Sequence, residues 1–317
     1  MLNNLITSVN VVMPMMLIVA LGYILYHRGK LTDDFVKTGV WLSFSIGFPC
    51  SLVNSFSQIN FTEAMDVRFV VLLVSITVLS AVIPMIVVPR FVANRAIAAS
   101  MVQSMFRTNV MVQGYGLMVS VYGEENVAAG AVALPFLLIT NNIIAPIIFV
   151  SLVPNENGKK PTLGDFIKKI FSNPLFCASV LGLTLSLLHI KLPTMVSSSL
   201  SQIGKVATPL SLICMGAGLR FDTVRSGLKY TLPTALVRLV VVPAAAVVAG
   251  FALGFRGVEL GSIFLLTSTA SGTAGYVMAG SMGGDTDIAS QTICLTVTLS
   301  AFTVTAGLFL LLQLGLI

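Results

Sequence analysis

Residues 114–128 read GYGLMVSVYGEENVA, and residues 275–289 repeat that pattern as GYVMAGSMGGDTDIA, 275 − 114 = 161 positions further along the chain. The same register, within one position, continues over two further pairs, Pro49 with Pro209 and Leu31 with Leu192. A duplication of this kind in an apolar, glycine-rich chain is typical of secondary transporters, in which two repeats frame one site near the middle of the bilayer.

The composition places the chain in a membrane. Hydrophobic residues make up 56% of the sequence and charged residues only 9%, whereas soluble domains carry about 25% charged residues. The mean hydropathy is +0.96. Charged clusters and turn residues separate ten apolar stretches, each near the ~20 residues that cross ~30 Å of hydrocarbon. We number them spans 1 to 10, at residues 7–26, 35–56, 67–89, 96–122, 126–153, 172–190, 193–219, 228–253, 257–282 and 286–315.

The ten spans predict an all-α integral membrane protein made of two five-helix repeats. Residues 1–153 would form the first repeat and residues 172–317 the second, with the polar stretch 154–171 as a cytoplasmic linker. Because five is an odd number, the second repeat would enter the membrane inverted relative to the first.

Lysine and arginine are distributed unevenly between the two sides of this predicted topology. With the N-terminus outside, twelve of the 18 basic residues fall in cytoplasmic loops: Arg28, Lys30, Lys37, Arg90, Arg95, Lys159, Lys160, Lys168, Lys169, Arg220, Arg225 and Lys229. The opposite side holds Arg68, Lys191 and Arg256, and the spans themselves hold Arg107, Lys205 and Arg238. The positive-inside rule therefore predicts a multi-pass protein of the plasma (inner) membrane with both termini outside the cytoplasm. The net charge of +6 reports this topology, and no nucleic-acid partner is expected.

Polar and small residues interrupt spans 4 and 9 at matching repeat positions. Span 4 contains FRTNVMVQGYG at residues 106–116, and span 9 contains TSTASGTAG at residues 267–275. The small and hydroxyl residues have low helix propensity, so both helices are expected to break here. Broken helices leave N–H and C=O groups that protein, water or a ligand must satisfy. The alternative is that the glycines only allow close helix packing, but paired interruptions favour a binding site.

Arg107 is the leading candidate for binding an anion. A guanidinium near the bilayer midplane is costly unless it is paired, and its planar fork suits a carboxylate. Alternatively, Arg107 caps carbonyl groups at the break of span 9. Lys205 is a second candidate, with a purely structural contact as its alternative, whereas Arg238 is expected to snorkel toward the cytoplasmic surface. Span 5 adds the amides of Asn141 and Asn142, of which at most one is expected to face a cavity squarely.

The predicted substrate-binding residues come from spans 4, 5, 7 and 9. They are Arg107, Thr108, Asn109, Gln113, Gly114, Tyr115, Asn141, Asn142, Lys205, Thr269, Ser271, Gly272, Thr273, Gly275 and Tyr276. No catalytic residue, metal site or cofactor is predicted, because the four cysteines are scattered singly and no nucleophile with an acid–base pair is apparent. The sequence also lacks a P-loop pattern, which disfavours ATP-driven transport.

Several of these stretches resemble a known family. Residues 109–117, with Gly114 five positions after the asparagine, look like the span-4 crossover of the auxin efflux carrier family, which includes bacterial malate and malonate permeases and plant auxin exporters. Residues 276–279 and 287–290 are similar to its span-9 segment, and the Asn141-Asn142 pair resembles its polar site in span 5. The resemblance covers essentially the whole chain.

The resemblance implies an elevator-type carrier of organic anions. Spans 1, 2, 6 and 7 would form a scaffold and a homodimer interface, and spans 3–5 and 8–10 would form a mobile transport domain. The crossing of spans 4 and 9 would hold the substrate carboxylate. Members of the family often have proline at this crossing, where the present chain has Gly116, Ala270 and Gly275.

Three functions remain open at this point. The leading one is a secondary transporter or facilitator of a small carboxylate such as malate, malonate or an auxin-like monoanion, with H⁺ or Na⁺ as the coupling ion. The second is a Na⁺-coupled symporter resembling the bile-acid transporter group, whose cation ligands would be hydroxyls and carbonyls of spans 4 and 9. The third is a non-transporting membrane sensor.

Overall fold

The computed structural model describes residues 2–58, 66–123, 128–153, 171–172, 174–219, 221–272 and 274–317, and within these ranges it is helical. The α-helices are α1 (Leu2–His27), α2 (Asp33–Leu42), α3 (Phe48–Gln58), α4 (Val67–Phe91), α5 (Arg95–Phe106), α6 (Gly116–Tyr122), α7 (Ala128–Leu152), α8 (Pro174–Leu187), α9 (Thr194–Ala217), α10 (Phe221–Leu236), α11 (Val242–Ala252), α12 (Gly257–Thr267), α13 (Ala274–Ser281) and α14 (Thr286–Gln313). The described chain also contains three π-helical turns. Ser43–Gly47 connects α2 to α3, Val110–Tyr115 leads into α6, and Val237–Val241 connects α10 to α11.

Helices lie within each of the ten predicted spans. Spans 1, 3, 5, 6, 7 and 10 are single α-helices, spans 2 and 8 each contain a π-helical turn, and spans 4 and 9 are each divided into two helices. Within the described ranges, five helical segments are long and apolar enough to cross a membrane: Asp33–Gln58, Val67–Phe91, Gly130–Leu152, Gly227–Ala252 and Thr286–Gln313. Shorter apolar helices accompany them. A multi-pass membrane protein is thus supported, while the ten-span inverted repeat stays a prediction. The predicted linker, residues 154–171, lies outside the described residues except for Phe171.

Side-chain caps fix where several helices begin. Asp66 accepts a hydrogen bond from Arg68 N (2.8 Å) at the start of α4, and Asn94 accepts from Ala96 N (3.0 Å) at the start of α5. Asp285 does the same for α14. Each cap satisfies a backbone N–H that the first helical turn leaves without a partner.

Two of the π-helical turns precede a proline. Pro49 follows the turn at Ser43–Gly47, and Pro243 follows the turn at Val237–Val241. Proline has no N–H to donate and its ring crowds the preceding turn, and a locally widened turn relieves that crowding. The second of these turns carries Arg238, which is buried within the helix assembly.

The helices pack in two groups. Helix α1 packs along α9, and α3 packs on α8 and α9. In the second group α4 packs on α5 and α7, α10 packs on α14, and α11 packs on α12. Helices α1 with α14, and α7 with α8, join the two groups. Outward-facing apolar side chains such as Leu17, Val71 and Val248 remain exposed, as expected where a surface meets lipid.

Candidate functional site

The breaks in spans 4 and 9 meet and satisfy each other's backbone. Helix α5 ends at Phe106 and α12 ends at Thr267, and the chain that follows each pairs antiparallel at Thr108 and Ser271. Asn109 N donates to Ala270 O (3.1 Å), and Gly272 N donates to Arg107 O (2.9 Å). We call residues 107–109 and 268–272 the crossing. Its backbone pairing explains how two interrupted helices can lie inside a protein that faces lipid.

Polar side chains hold the crossing in place. Gln113 accepts a hydrogen bond from Ala270 N (2.8 Å), while its amide nitrogen lies 3.3 Å from Ser300 Oγ. Ser271 N donates to Thr296 Oγ1 (3.2 Å). Buried backbone N–H groups that the helices cannot satisfy are therefore satisfied by side chains from π-turn 110–115 and from α14.

Arg107 belongs to the crossing, and its side chain is buried and contacts neutral groups. Its side chain is 6% exposed. Nη2 donates to Asn142 Oδ1 (3.1 Å), and Nη1 lies 3.4 Å from Asn141 O and 3.3 Å from Met278 Sδ. Both adjacent asparagines thus reach the guanidinium, one through its backbone and the other through its side chain. The ion pairs among the described residues are formed by Lys37 and Arg68, whose side chains are exposed. Arg107 therefore has no carboxylate partner in the described part of the chain.

Three amide residues contact Arg107: Asn142 through its side chain, Asn141 through its backbone carbonyl, and Gln103 through a backbone hydrogen bond from Arg107 N (3.1 Å). Each has a buried side-chain polar atom without a hydrogen bond in the described structure. These atoms are Gln103 Oε1, Asn141 Oδ1 and Asn142 Nδ2. Unpaired buried polar atoms cost free energy. We call Gln103, Asn141 and Asn142 the amide cluster. Together with the guanidinium it offers a ligand both donors and acceptors, and the positive charge favours an anion.

Arg238 also contacts the crossing and is fully buried, at 0% exposure. Its Nε donates to Thr269 O (3.0 Å), and Nη1 donates to Met105 O (3.2 Å) and Phe106 O (3.3 Å). Nη2 donates to Thr267 O. The expectation that Arg238 snorkels to the surface is therefore wrong, because the carbonyl ends of α5 and α12 supply its partners inside the protein.

The alternative role considered for Arg107, capping the carbonyl groups at the break of span 9, is thus performed by Arg238. Arg107 reaches Met278 on α13, the second half of span 9, whereas Arg238 bonds to carbonyls at the end of the first half. The two arginines therefore have different roles. Arg238 donates hydrogen bonds to backbone carbonyls, whereas the charge of Arg107 lies beside neutral amides.

The structure brings most of the other predicted site residues to the crossing. Asn109, Gln113, Gly114, Thr269, Ser271, Gly272 and Gly275 are buried, Thr108 and Tyr115 are half-buried, and Tyr276 is exposed. Thr273 lies outside the described residues. Of the residues that stand where the family has proline, Ala270 lies in the crossing, whereas Gly116 begins α6 and Gly275 lies in the first turn of α13.

Lys205 is not brought to the crossing. It is exposed on α9, ten residues (215 − 205) before Met215, whose sulfur lies 4.0 Å from Asn109 Nδ2. Ten helical residues correspond to a rise of about 15 Å. The structure therefore separates the ammonium of Lys205 from the guanidinium of Arg107.

Comparison with known proteins places the chain in a transporter family. A family model described as membrane transport protein matches residues 7–307. The chain belongs to the auxin efflux carrier family of membrane transport proteins. A protein of Methanothermobacter thermautotrophicus described as an uncharacterized transporter is 25% identical over 303 residues, covering 92% of this chain and 95% of the relative. A transporter family is consistent with a role other than catalysis.

In this auxin efflux carrier family member, the sequence prediction missed several residues that support the crossing. Thr296 accepts a hydrogen bond from Ser271 N, Ser300 lies beside Gln113, and Gln103 contacts Met278, which in turn contacts Arg107. Gln103 lies one helical turn before Arg107, at a spacing that places both on one face, and this signal was available from the sequence. Thr296 and Ser300 share a face of span 10, but polar spacing alone does not reveal what that face contacts.

Replacing Gln113 by leucine is expected to lower the melting temperature in detergent, because the change leaves Ala270 N–H buried without its acceptor. An unpaired buried donor costs about 1–3 kcal/mol. The matched control is Gln202→Leu, at an exposed position of α9, for which little change is expected. Equal melting temperatures for the two variants would show that Gln113 does not support the crossing.

Proposed function

We propose that the protein is a secondary transporter or facilitator that moves a small organic anion across the plasma membrane. The substrate is a carboxylate of the size of malate, malonate or an auxin-like monoanion, and its carboxylate binds Arg107. The observation that carries this proposal is a buried guanidinium whose described partners are all neutral, next to unpaired amide atoms. A substrate carboxylate would compensate the charge and accept from Asn142 Nδ2.

The motion in this proposal is elevator-type alternating access. The packing of α1, α2 and α3 with α8 and α9 supports a scaffold, and the packing of α4 to α7 with α10 to α14 supports a transport domain that carries the crossing. A small cleft lined by Ser51, Ser55, Met111 and Tyr115 lies where the two groups meet. The scaffold is proposed to form a homodimer, with both termini of each subunit outside the cytoplasm.

The test is uptake of radiolabelled mono- and dicarboxylates into proteoliposomes, with and without a gradient of H⁺ or Na⁺. We expect saturable uptake of at least one carboxylate, and the gradient that accelerates it identifies the coupling ion. Protein-free liposomes are the control. If correctly inserted protein moves none of the anions under any gradient, the carrier proposal fails. Binding of an anion without transport would instead favour a membrane sensor.

Converting Asn142 to aspartate is expected to weaken substrate binding while it stabilises the protein. Asn142 Oδ1 already lies 3.1 Å from Arg107 Nη2, so a carboxylate at this position would neutralise the guanidinium internally. The substrate concentration at half-maximal uptake should rise at least about tenfold, equivalent to about 1.4 kcal/mol, and the melting temperature should rise. Asn54→Asp on α3 is the matched control and should leave uptake unchanged. A variant with wild-type affinity would contradict a substrate carboxylate at Arg107.

A further inference from the structure

The carbonyl ends of two half-helices converge on one side chain. Helix α5 ends with Met105 and Phe106, and the end of α12 is followed by the segment that contains Thr269. Carbonyls from both ends accept hydrogen bonds from the guanidinium of Arg238. Each helix C-terminus carries about half a negative charge. Two such ends brought together inside a membrane protein favour a cation between them.

Carbonyl groups at the ends of interrupted helices are ligands of the kind that hold Na⁺ in membrane carriers. At this crossing the carbonyls already accept hydrogen bonds from the guanidinium of Arg238, so the positive charge beside them is part of the chain itself. Arginine remains protonated in proteins and presents five N–H donors in a fixed fork. A guanidinium with four carbonyl contacts therefore does what a bound Na⁺ would do at this position.

Three hydroxyl groups at the crossing or next to it are also engaged in hydrogen bonds, whereas Ser268 Oγ is buried without one in the described structure. Thr267 Oγ1 donates to Ile263 O (2.6 Å), Ser271 Oγ donates to Ser104 O (2.8 Å), and Thr269 Oγ1 accepts from Asn109 N (3.1 Å). These three hydroxyl groups are therefore held in place by hydrogen bonds within the protein. Of the Na⁺ site that the sequence offered as an alternative, built from the hydroxyls and carbonyls of spans 4 and 9, four carbonyls already accept hydrogen bonds from Arg238.

We propose that Arg238 is a built-in cation that replaces a coupling Na⁺ between the two half-helices, so that the crossing assembles and works without Na⁺. Arg238 is in this sense a positioning residue, since it acts on the backbone that carries the substrate site. The proposal goes beyond the proposed function and does not depend on the identity of the substrate. It predicts that removing the side chain creates a requirement for an external cation.

The experiment measures the melting temperature of the purified protein in detergent, for the wild type and for Arg238→Ala. Each is measured in choline chloride at constant ionic strength, with Na⁺, guanidinium or neutral urea added at low, non-denaturing concentration. We expect the wild type to be indifferent to Na⁺. The variant should melt lower in choline, and guanidinium or Na⁺ should restore part of the loss whereas urea should not, because urea has a similar shape but no charge.

Arg256→Ala is the matched control. Arg256 also donates to backbone carbonyls near a helix end, at Phe251 (2.9 Å) and Phe255 (2.6 Å), but it is exposed to solvent. Water can replace its contacts, so this variant should show no cation-specific recovery. Recovery of both variants by guanidinium would mean a nonspecific salt effect and would overturn the proposal.

Three further outcomes would also overturn it: Na⁺-specific stabilisation of the wild type, an Arg238→Ala variant as stable as the wild type in choline, or a loss of stability that no cation restores. If Arg238→Ala does not fold, Arg238→Lys keeps the charge with fewer donors, and it should fold and remain indifferent to Na⁺. Because melting requires no substrate, a failure here is distinguishable from a failure of the transport proposal. Where uptake is measurable, replacing Na⁺ by choline should leave the wild-type rate unchanged.

Discussion

Replacing Arg107 by alanine is expected to abolish saturable uptake of the carboxylate substrate. The guanidinium is buried and its described partners are neutral, so in the proposed site it supplies the only described charge that faces the substrate. Losing a charge-assisted, bidentate contact away from water should lower uptake at subsaturating substrate by at least about 100-fold, or about 2.7 kcal/mol. The measurement is initial uptake in proteoliposomes at matched amounts of reconstituted protein.

The stability of the same variant separates a binding role from a structural one. An uncompensated charge within the membrane is costly, so Arg107→Ala should melt at the same temperature as the wild type or higher. Arg107→Lys should retain some uptake, because the charge remains but the planar fork is lost. Lys205→Ala, at the exposed position on α9, should keep uptake within about twofold, a change of about 0.4 kcal/mol. Wild-type uptake by a folded Arg107→Ala variant would remove Arg107 from the site.

Replacing Gly216 by alanine is expected to destabilise the protein strongly. Helices α1 and α9 approach so closely that a Cβ at Gly216 would overlap with the carbonyl oxygen of Val19, and a Cβ at Gly22 would overlap with that of Ile213. Because the overlapping atoms belong to the backbone and not to a flexible side chain, the two helices must move apart. Overpacking of this kind costs about 1–3 kcal/mol. The melting temperature in detergent reports the loss.

Gly218→Ala is the matched control for this variant. Gly218 lies two residues further along and has a φ of −80°, which alanine adopts without strain. A Cβ there would meet its nearest atoms at 3.5 Å, an ordinary contact. The melting temperature of Gly218→Ala should therefore stay close to that of the wild type. If both variants melt like the wild type, α1 and α9 do not depend on this close approach.

Local sequence patterns were sufficient to predict the class of the protein and the positions of its helical segments. Long apolar runs bounded by charges have few alternatives to helix in a membrane, since every backbone group must be satisfied within the segment. The interruptions in spans 4 and 9 were also visible, because runs of small and hydroxyl residues are weak helix formers. The family resemblance, carried by stretches such as residues 109–117, is confirmed by a family match over residues 7–307.

The partners of the buried cations depended on contacts between distant parts of the chain. Nothing near Arg238 in the sequence indicates that carbonyls 29 and 133 positions away would converge on it, so the side chain was expected to reach the surface. Lys205 and Arg107 both lie inside apolar spans, yet only packing exposes one and buries the other. By itself, the sequence determined that this is a helical membrane protein with two interrupted spans, because those features depend on local composition. The tertiary structure alone decided which arginine holds the backbone and which keeps its charge beside the amides, because a long side chain's partner is set by what folding places within its reach.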